Sequence, residues 1–95
     1  MQIRIAELRE VSEVLFRHLE QNGVDQVDLA QDYYWNVPAG ERYDPYQQPA
    51  GLDLGQLTDD WRELQRLRSG EREPVAYGLV WLSAILRAVG EQVPR

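Results

Sequence analysis

The stretch VAYGLVWLSAIL, residues 75–86, is the longest uninterrupted apolar part of the chain. Pro74 stands directly before it, where a missing backbone donor suits the first turn of a helix. From Val75 to Val89, apolar residues cover nearly the whole circumference of a helix, which is typical of a helix surrounded by other elements. The stretch therefore predicts a central core helix. It is well short of the roughly 20 residues that a membrane span needs.

Another helix is predicted from about Ile5 to Gln21, because apolar and charged residues occupy opposite sides of a 3.6-residue repeat. Asn22-Gly23 is a typical helix stop. The main apolar stripe consists of Ile5, Leu8, Leu15, Phe16 and Leu19, with Ser12 among them. A smaller patch beside the stripe, expected to contact a neighbouring loop or else a partner, consists of Val11, Val14 and His18.

The remaining helix is predicted to begin near Asp53 and to end at Ser69-Gly70. Asp53 and Gln56 have the spacing of a capping box. In this motif the first side chain accepts a hydrogen bond from a backbone N–H of the first turn, and the side chain three residues later reaches back to the N–H of the first residue. Thr58 is a rival start. Acidic residues lie near the beginning of this helix and arginines near its end, as the helix macrodipole favours.

The segment between the first two helices has no clear period. Three aspartates precede an aromatic run at residues 33–35, and this pattern favours a short helical turn, with a short strand as the alternative. Prolines and glycines then recur too often for a regular element to persist. The aromatic rings favour an ordered connection, because they can bury enough area to pin it to the helices.

Taken together, the pattern predicts one domain, residues 1–95, with an all-α fold of three helices and a long aromatic-rich connection between helices 1 and 2. An α+β fold with a small hairpin in that connection is the alternative. At 95 residues, the chain is long enough for one modest core and too short for two.

The charge of −6 is distributed unevenly. Residues 1–19 are neutral, residues 20–60 carry nine acids and one arginine, and residues 61–95 have a net charge of +2. A nucleic-acid-binding protein normally needs a basic face for phosphate contacts, so we expect no nucleic-acid partner. The acidic middle region favours a partner with a basic surface.

Composition also excludes several kinds of chemistry. The chain has no cysteine, no lysine and one histidine, His18, which removes thiolate catalysis, Schiff bases and most zinc sites. Asp25, Asp28 and Asp32 have the spacing of one helix face, but they lack the pattern of a calcium loop and are interpreted as a solvated acidic face. We expect no catalytic residue, no metal and no cofactor. The N-terminus lacks a secretory signal pattern, so a cytoplasmic location is expected.

The sequence favours a non-enzymatic protein-interaction module, with an acidic inhibitor or immunity-type protein as its most concrete form. That likeness is one of composition and carries over no residue. The alternative is a small ligand-binding protein or hydrolase that uses segment 25–60. We expect no membrane partner, and a homo-oligomer is compatible with the pattern. The predicted partner-binding residues are Asp25, Asp28, Asp32, Tyr34, Trp35, Tyr43 and Tyr46.

Overall fold

The computed structural model describes residues 1–36 and 53–93. In these residues, helix α1 (Ile5–Gln21) is followed by strands β1 (Tyr33–Asn36) and β2 (Asp53–Gln56), and then by helices α2 (Leu57–Ser69) and α3 (Gly78–Gln92). The protein is therefore mostly helical with a small two-stranded sheet. The predicted helical character is confirmed, and the sheet occurs in the connection where the alternative fold placed a hairpin.

Helix α1 has the predicted bounds. After Gln21 the chain turns away, with the N–H of Gly23 donating to the carbonyl of Glu20 at 3.0 Å and the N–H of Val24 to that of Leu19 at 2.9 Å. The Asn22 side-chain amide also donates to a carbonyl of the last turn. These bonds satisfy carbonyls that the end of a helix leaves without partners, as the Asn-Gly pair predicted.

The two strands correct two predictions. Strands β1 and β2 pair antiparallel, with Tyr34 opposite Gly55 and Trp35 opposite Leu54. The predicted helical turn before residue 36 is therefore wrong, because its aromatic end is a strand. The predicted helix start at Asp53 is also wrong, because residues 53–56 extend along β1 and α2 begins only at Leu57.

Helices α2 and α3 pack against each other, and β2 leads directly into α2. Leu57, 6% exposed, and Ile85, 8% exposed, form the buried apolar centre among the described residues. Helix α2 ends at Ser69, as predicted. Gly70 follows with φ of 82°, a left-handed conformation that suits glycine because it has no Cβ.

Helix α3 begins and ends later in the chain than its sequence predicts, and it is more exposed. Residues 75–77 form a turn, and the helix begins at Gly78 rather than next to Pro74. Leu79 is 65% exposed, and Ile85 is the buried large side chain of the helix. The prediction of a surrounded core helix is wrong for this structure, because α2 covers one side of α3 and α1 does not pack along the other.

Candidate interaction surface

The apolar stripe of α1 is open to solvent. No residue of this helix is buried, and its apolar side chains include Ile5 at 65% and Leu15 at 59% exposed. A helix with one apolar face normally buries that face against another element. Among the described residues, no element packs along it. Within residues 1–36 and 53–93, the stripe is therefore an apolar surface that no helix or strand covers.

A groove separates the C-terminal half of α1 from α2 and α3. It is open and has a volume of about 1040 Å³. Most of the side chains that line it are apolar, and those central to the surface are Phe16, Leu19, Leu57, Trp61, Leu82 and Leu86. The groove is continuous with the stripe, because Phe16 and Leu19 belong to both. An apolar surface that runs from a helix face into a groove is typical of a binding site for another chain.

Asp32, predicted to contact a partner, binds the start of α2 instead. Its Oδ1 accepts hydrogen bonds from the backbone N–H and the hydroxyl of Thr58, each at 2.8 Å. Its Oδ2 accepts one from the Gln56 side chain at 2.7 Å, and its carbonyl accepts one from the N–H of Leu57 at 2.7 Å. These donors, with Gln56 and Thr58 foremost, lower the pKa of the Asp32 carboxyl.

Tyr34 also has a partner inside the chain. Its hydroxyl donates a hydrogen bond to the carboxylate of Asp60, which is buried in the first turn of α2. Burial raises the pKa of Tyr34, and the hydrogen bond and the negative charge of Asp60 raise it further. Burial also raises the pKa of Asp60, which the Tyr34 hydrogen bond partly offsets. This pair joins the sheet to α2.

The other predicted partner-binding residues fall into two groups. Asp25, Asp28 and Trp35 are exposed, and Trp35, on β1, is 68% exposed. Tyr43 and Tyr46 lie outside the described residues. The structure thus leaves three of the predicted side chains available to a partner and places Asp32 and Tyr34 in internal hydrogen bonds.

Arg72, which follows the C-terminal end of α2, forms a polar and aromatic cluster with Glu63 and Trp81. Its guanidinium lies 4.8 Å from the centre of the Trp81 ring and binds the carboxylate of Glu63. Arg72 is the main reason that the pKa of Glu63 is lowered. Tyr77 packs edge-to-face on Trp81, with ring centres 5.8 Å apart. These contacts hold the turn before α3 in place. None of the four residues lines the groove.

In residues 1–36 and 53–93, no three acidic or imidazole side chains converge in a way that could hold a metal ion. His18 is exposed near the end of α1, where its Nδ1 lies 3.4 Å from the Asn22 side-chain amide. None of the helices described here has the length and apolarity to cross a membrane.

No family model matches the chain, and no curated protein or solved structure matches it either. The assignment of a site therefore depends on geometry alone. The sequence did identify the stripe of α1 as the apolar face of an amphipathic helix, but not as a binding surface. The neutral charge of residues 1–19 beside an acidic middle region is the signal that could have marked this helix as a separate surface.

Proposed function

We propose that this chain is a non-enzymatic protein-interaction module that binds through the stripe of α1 and the groove beside it. The observation that supports this proposal is an amphipathic helix face with Ile5, Leu8, Leu15 and Phe16 exposed, continuous with an apolar groove. Burying one leucine or phenylalanine side chain fully is worth roughly 1.5–3 kcal/mol. Several such side chains on one helix therefore supply a large driving force for association.

The helix itself supports this function. An isolated helix of this length is only marginally stable in water, and helices in proteins gain most of their stability by packing an amphipathic face. Helix α1 has 17 residues and none of them is buried. A partner on the stripe would supply the packing that α1 lacks within its own chain.

A second candidate is binding of a cationic partner at the acidic region, as an immunity-type inhibitor would do. The observation that favours it is the exposure of Trp35, since exposed aromatic rings are frequent anchors at interfaces. Asp25 and Asp28 would speed association by long-range attraction. Changing these two aspartates to asparagine should then slow association and weaken its salt dependence, whereas Trp35→Ala should speed dissociation.

The proposed function is tested by cross-linking in the native cells followed by mass spectrometry. Leu15→Asp places a charge in the stripe. Glu10→Arg is the control, because it makes a larger change of charge on the opposite side of the same helix. We expect Leu15→Asp to abolish cross-links between α1 and any polypeptide, including another copy of the chain, and Glu10→Arg to preserve them. Cross-links that survive Leu15→Asp, or a groove found to hold a small molecule, would contradict the proposal.

A further inference from the structure

We propose that the partner at this surface is a second copy of the chain, with the two α1 helices packed antiparallel and centred near Val11 and Ser12. This inference rests on the proposed function and names its partner. Four features of the sequence and structure support it: the spacing of the apolar residues, the charges beside the stripe, the position of the acidic region and the continuity of the groove.

The apolar residues of α1 fit an antiparallel copy of themselves. Ile5, Leu8, Ser12, Leu15 and Leu19 are spaced alternately by three and four residues, the pattern of a helix that pairs along one seam. With the centre at residues 11–12, Leu8 lies beside the partner's Leu15. Ile5 then lies level with residue 18 of the partner, between the partner's Phe16 and Leu19. Ser12 is small and lies at the centre, where it permits close approach of the two helices.

The charges beside the stripe favour the antiparallel direction. In that arrangement each flank of a helix faces the same flank of its partner, so Arg9 lies opposite the partner's Glu13. The symmetry of the dimer makes this ion pair twice. In a parallel arrangement, Arg4 would instead face the partner's Arg9, because residues five apart meet across a parallel pair. The parallel direction thus joins like charges.

The acidic region favours the same direction. Residues 20–95 carry the whole net charge of −6, since residues 1–19 are neutral. An antiparallel pair places the two acidic parts at opposite ends of a helix about 25 Å long. That distance exceeds the Debye length of about 8 Å at physiological salt, so their repulsion is screened. A parallel pair would bring them side by side.

The groove continues the pairing surface. Phe16 and Leu19 line it, and in the antiparallel register the partner's Ile5 lies against this part of α1. Met1 and Ile3, which precede α1 and are exposed, extend the apolar segment that would enter the groove. A standard interface buries roughly 800 Å² per partner, and the groove adds apolar side chains of α2 and α3 to those of the helix face.

The proposal is tested by sedimentation equilibrium of the full chain. We expect twice the monomer mass of 11.1 kDa, and on dilution we expect the mass and the helical circular dichroism to fall together. Glu13→Arg should weaken the dimer about tenfold, because it replaces two ion pairs by two repulsions. Arg9→Glu combined with Glu13→Arg should restore it. Glu10→Arg, the same charge change on the opposite side of α1, is the matched control.

The outcomes separate this inference from the proposed function. A wild-type chain that is monomeric but cross-links to another polypeptide through the stripe would overturn the dimer and leave the interaction module intact. A monomer without any stripe-dependent partner would overturn both. A dimer that Glu13→Arg and Glu10→Arg weaken equally, or that the double exchange fails to restore, would overturn the antiparallel pairing.

Discussion

The carboxylate of Asp32 holds Thr58 by two hydrogen bonds, one from its backbone N–H and one from its hydroxyl, each 2.8 Å long. Thr58 is the second residue of α2, so Asp32 acts as the cap of a helix that begins far along the chain. The residue directly before the helix, Gln56, supplies no side-chain cap of its own. The acidic segment thus contributes to the fold as well as to the surface charge.

Asp32→Ala should lower the melting temperature, because the N–H and the hydroxyl of Thr58 in the first turn of α2 lose their acceptor. Asp25→Ala removes the same charge from an exposed position of the same segment and should change the melting temperature little. Thermal denaturation followed by circular dichroism compares the two. Equal effects would show that Asp32 contributes charge only.

Acid should weaken this cap. Because the pKa of Asp32 is lowered in the folded chain, the unfolded chain takes up a proton first as the pH falls below about 4. The stabilisation is therefore complete above that pH and is lost below it. Asp32→Asn should reduce the acid dependence of the free energy of unfolding, measured by urea titration between pH 3 and 6. An unchanged dependence would contradict this assignment.

Tyr34→Phe should cost about 1–3 kcal/mol, because it leaves the buried carboxylate of Asp60 without its donor. Tyr33→Phe, at the exposed neighbouring position of β1, is the control and should be close to neutral. Urea denaturation at neutral pH measures both. A neutral Tyr34→Phe would show that Asp60 is satisfied in some other way.

The same pair predicts sensitivity to alkali. Above about pH 10 the unfolded chain releases the tyrosine proton, while the raised pKa of Tyr34 keeps that proton in the folded chain. The folded state then binds more protons than the unfolded state, so the free energy of unfolding falls as the pH rises. Tyr34→Phe should flatten this decline. Identical slopes in the two chains would exclude Tyr34 as its source.

Gly55→Ala should disrupt the contact between the sheet and α2. A Cβ at residue 55 would lie less than 3.0 Å from three ring atoms of Tyr34, which occupies the opposite position on β1. The ring must then move and its bond to Asp60 is lost. Gly90→Ala is the control, because open space surrounds residue 90 in α3, where alanine favours a helix by about 0.5–1 kcal/mol. Circular dichroism melts should change in opposite directions.

Ile85→Ala should cost about 2–5 kcal/mol, since Ile85 is a buried contact between α3 and the rest of the chain. Leu79→Ala on the same helix removes a mostly exposed side chain and should cost much less. Urea denaturation of both variants tests whether α3 is packed on one side only. A large cost at Leu79 would restore the prediction of a fully surrounded helix.

Local signals in the sequence were sufficient for much of the fold. The period of α1, the Asn22-Gly23 stop and the glycine after Ser69 identified helix ends because those features act within one or two turns. The strands were predicted only as the alternative, because β1 pairs with residues about 20 positions away and neither strand has a distinctive pattern of its own. The cap by Asp32 was missed for the same reason.

The surface was only partly predictable. The sequence located the apolar side chains of α1 and α3, but a pattern of apolar residues does not say whether its partner lies in the same chain. Binding of a cationic partner by Asp25, Asp28 and Trp35 remains a prediction. Asp32 and Tyr34 could not be distinguished from them in the sequence, because their partners, Thr58 and Asp60, lie in another element.

Disulfide trapping tests the central claim most directly, because the native chain has no cysteine. In the antiparallel dimer, a cysteine at residue 8 lies beside residue 15 of the partner and about 10.5 Å along the axis from residue 8 of the partner. Leu8→Cys and Leu15→Cys chains should therefore remain unlinked when oxidised separately and form a covalent dimer when mixed. Linking of each variant with itself, or no linking in the mixture, would contradict antiparallel pairing of α1.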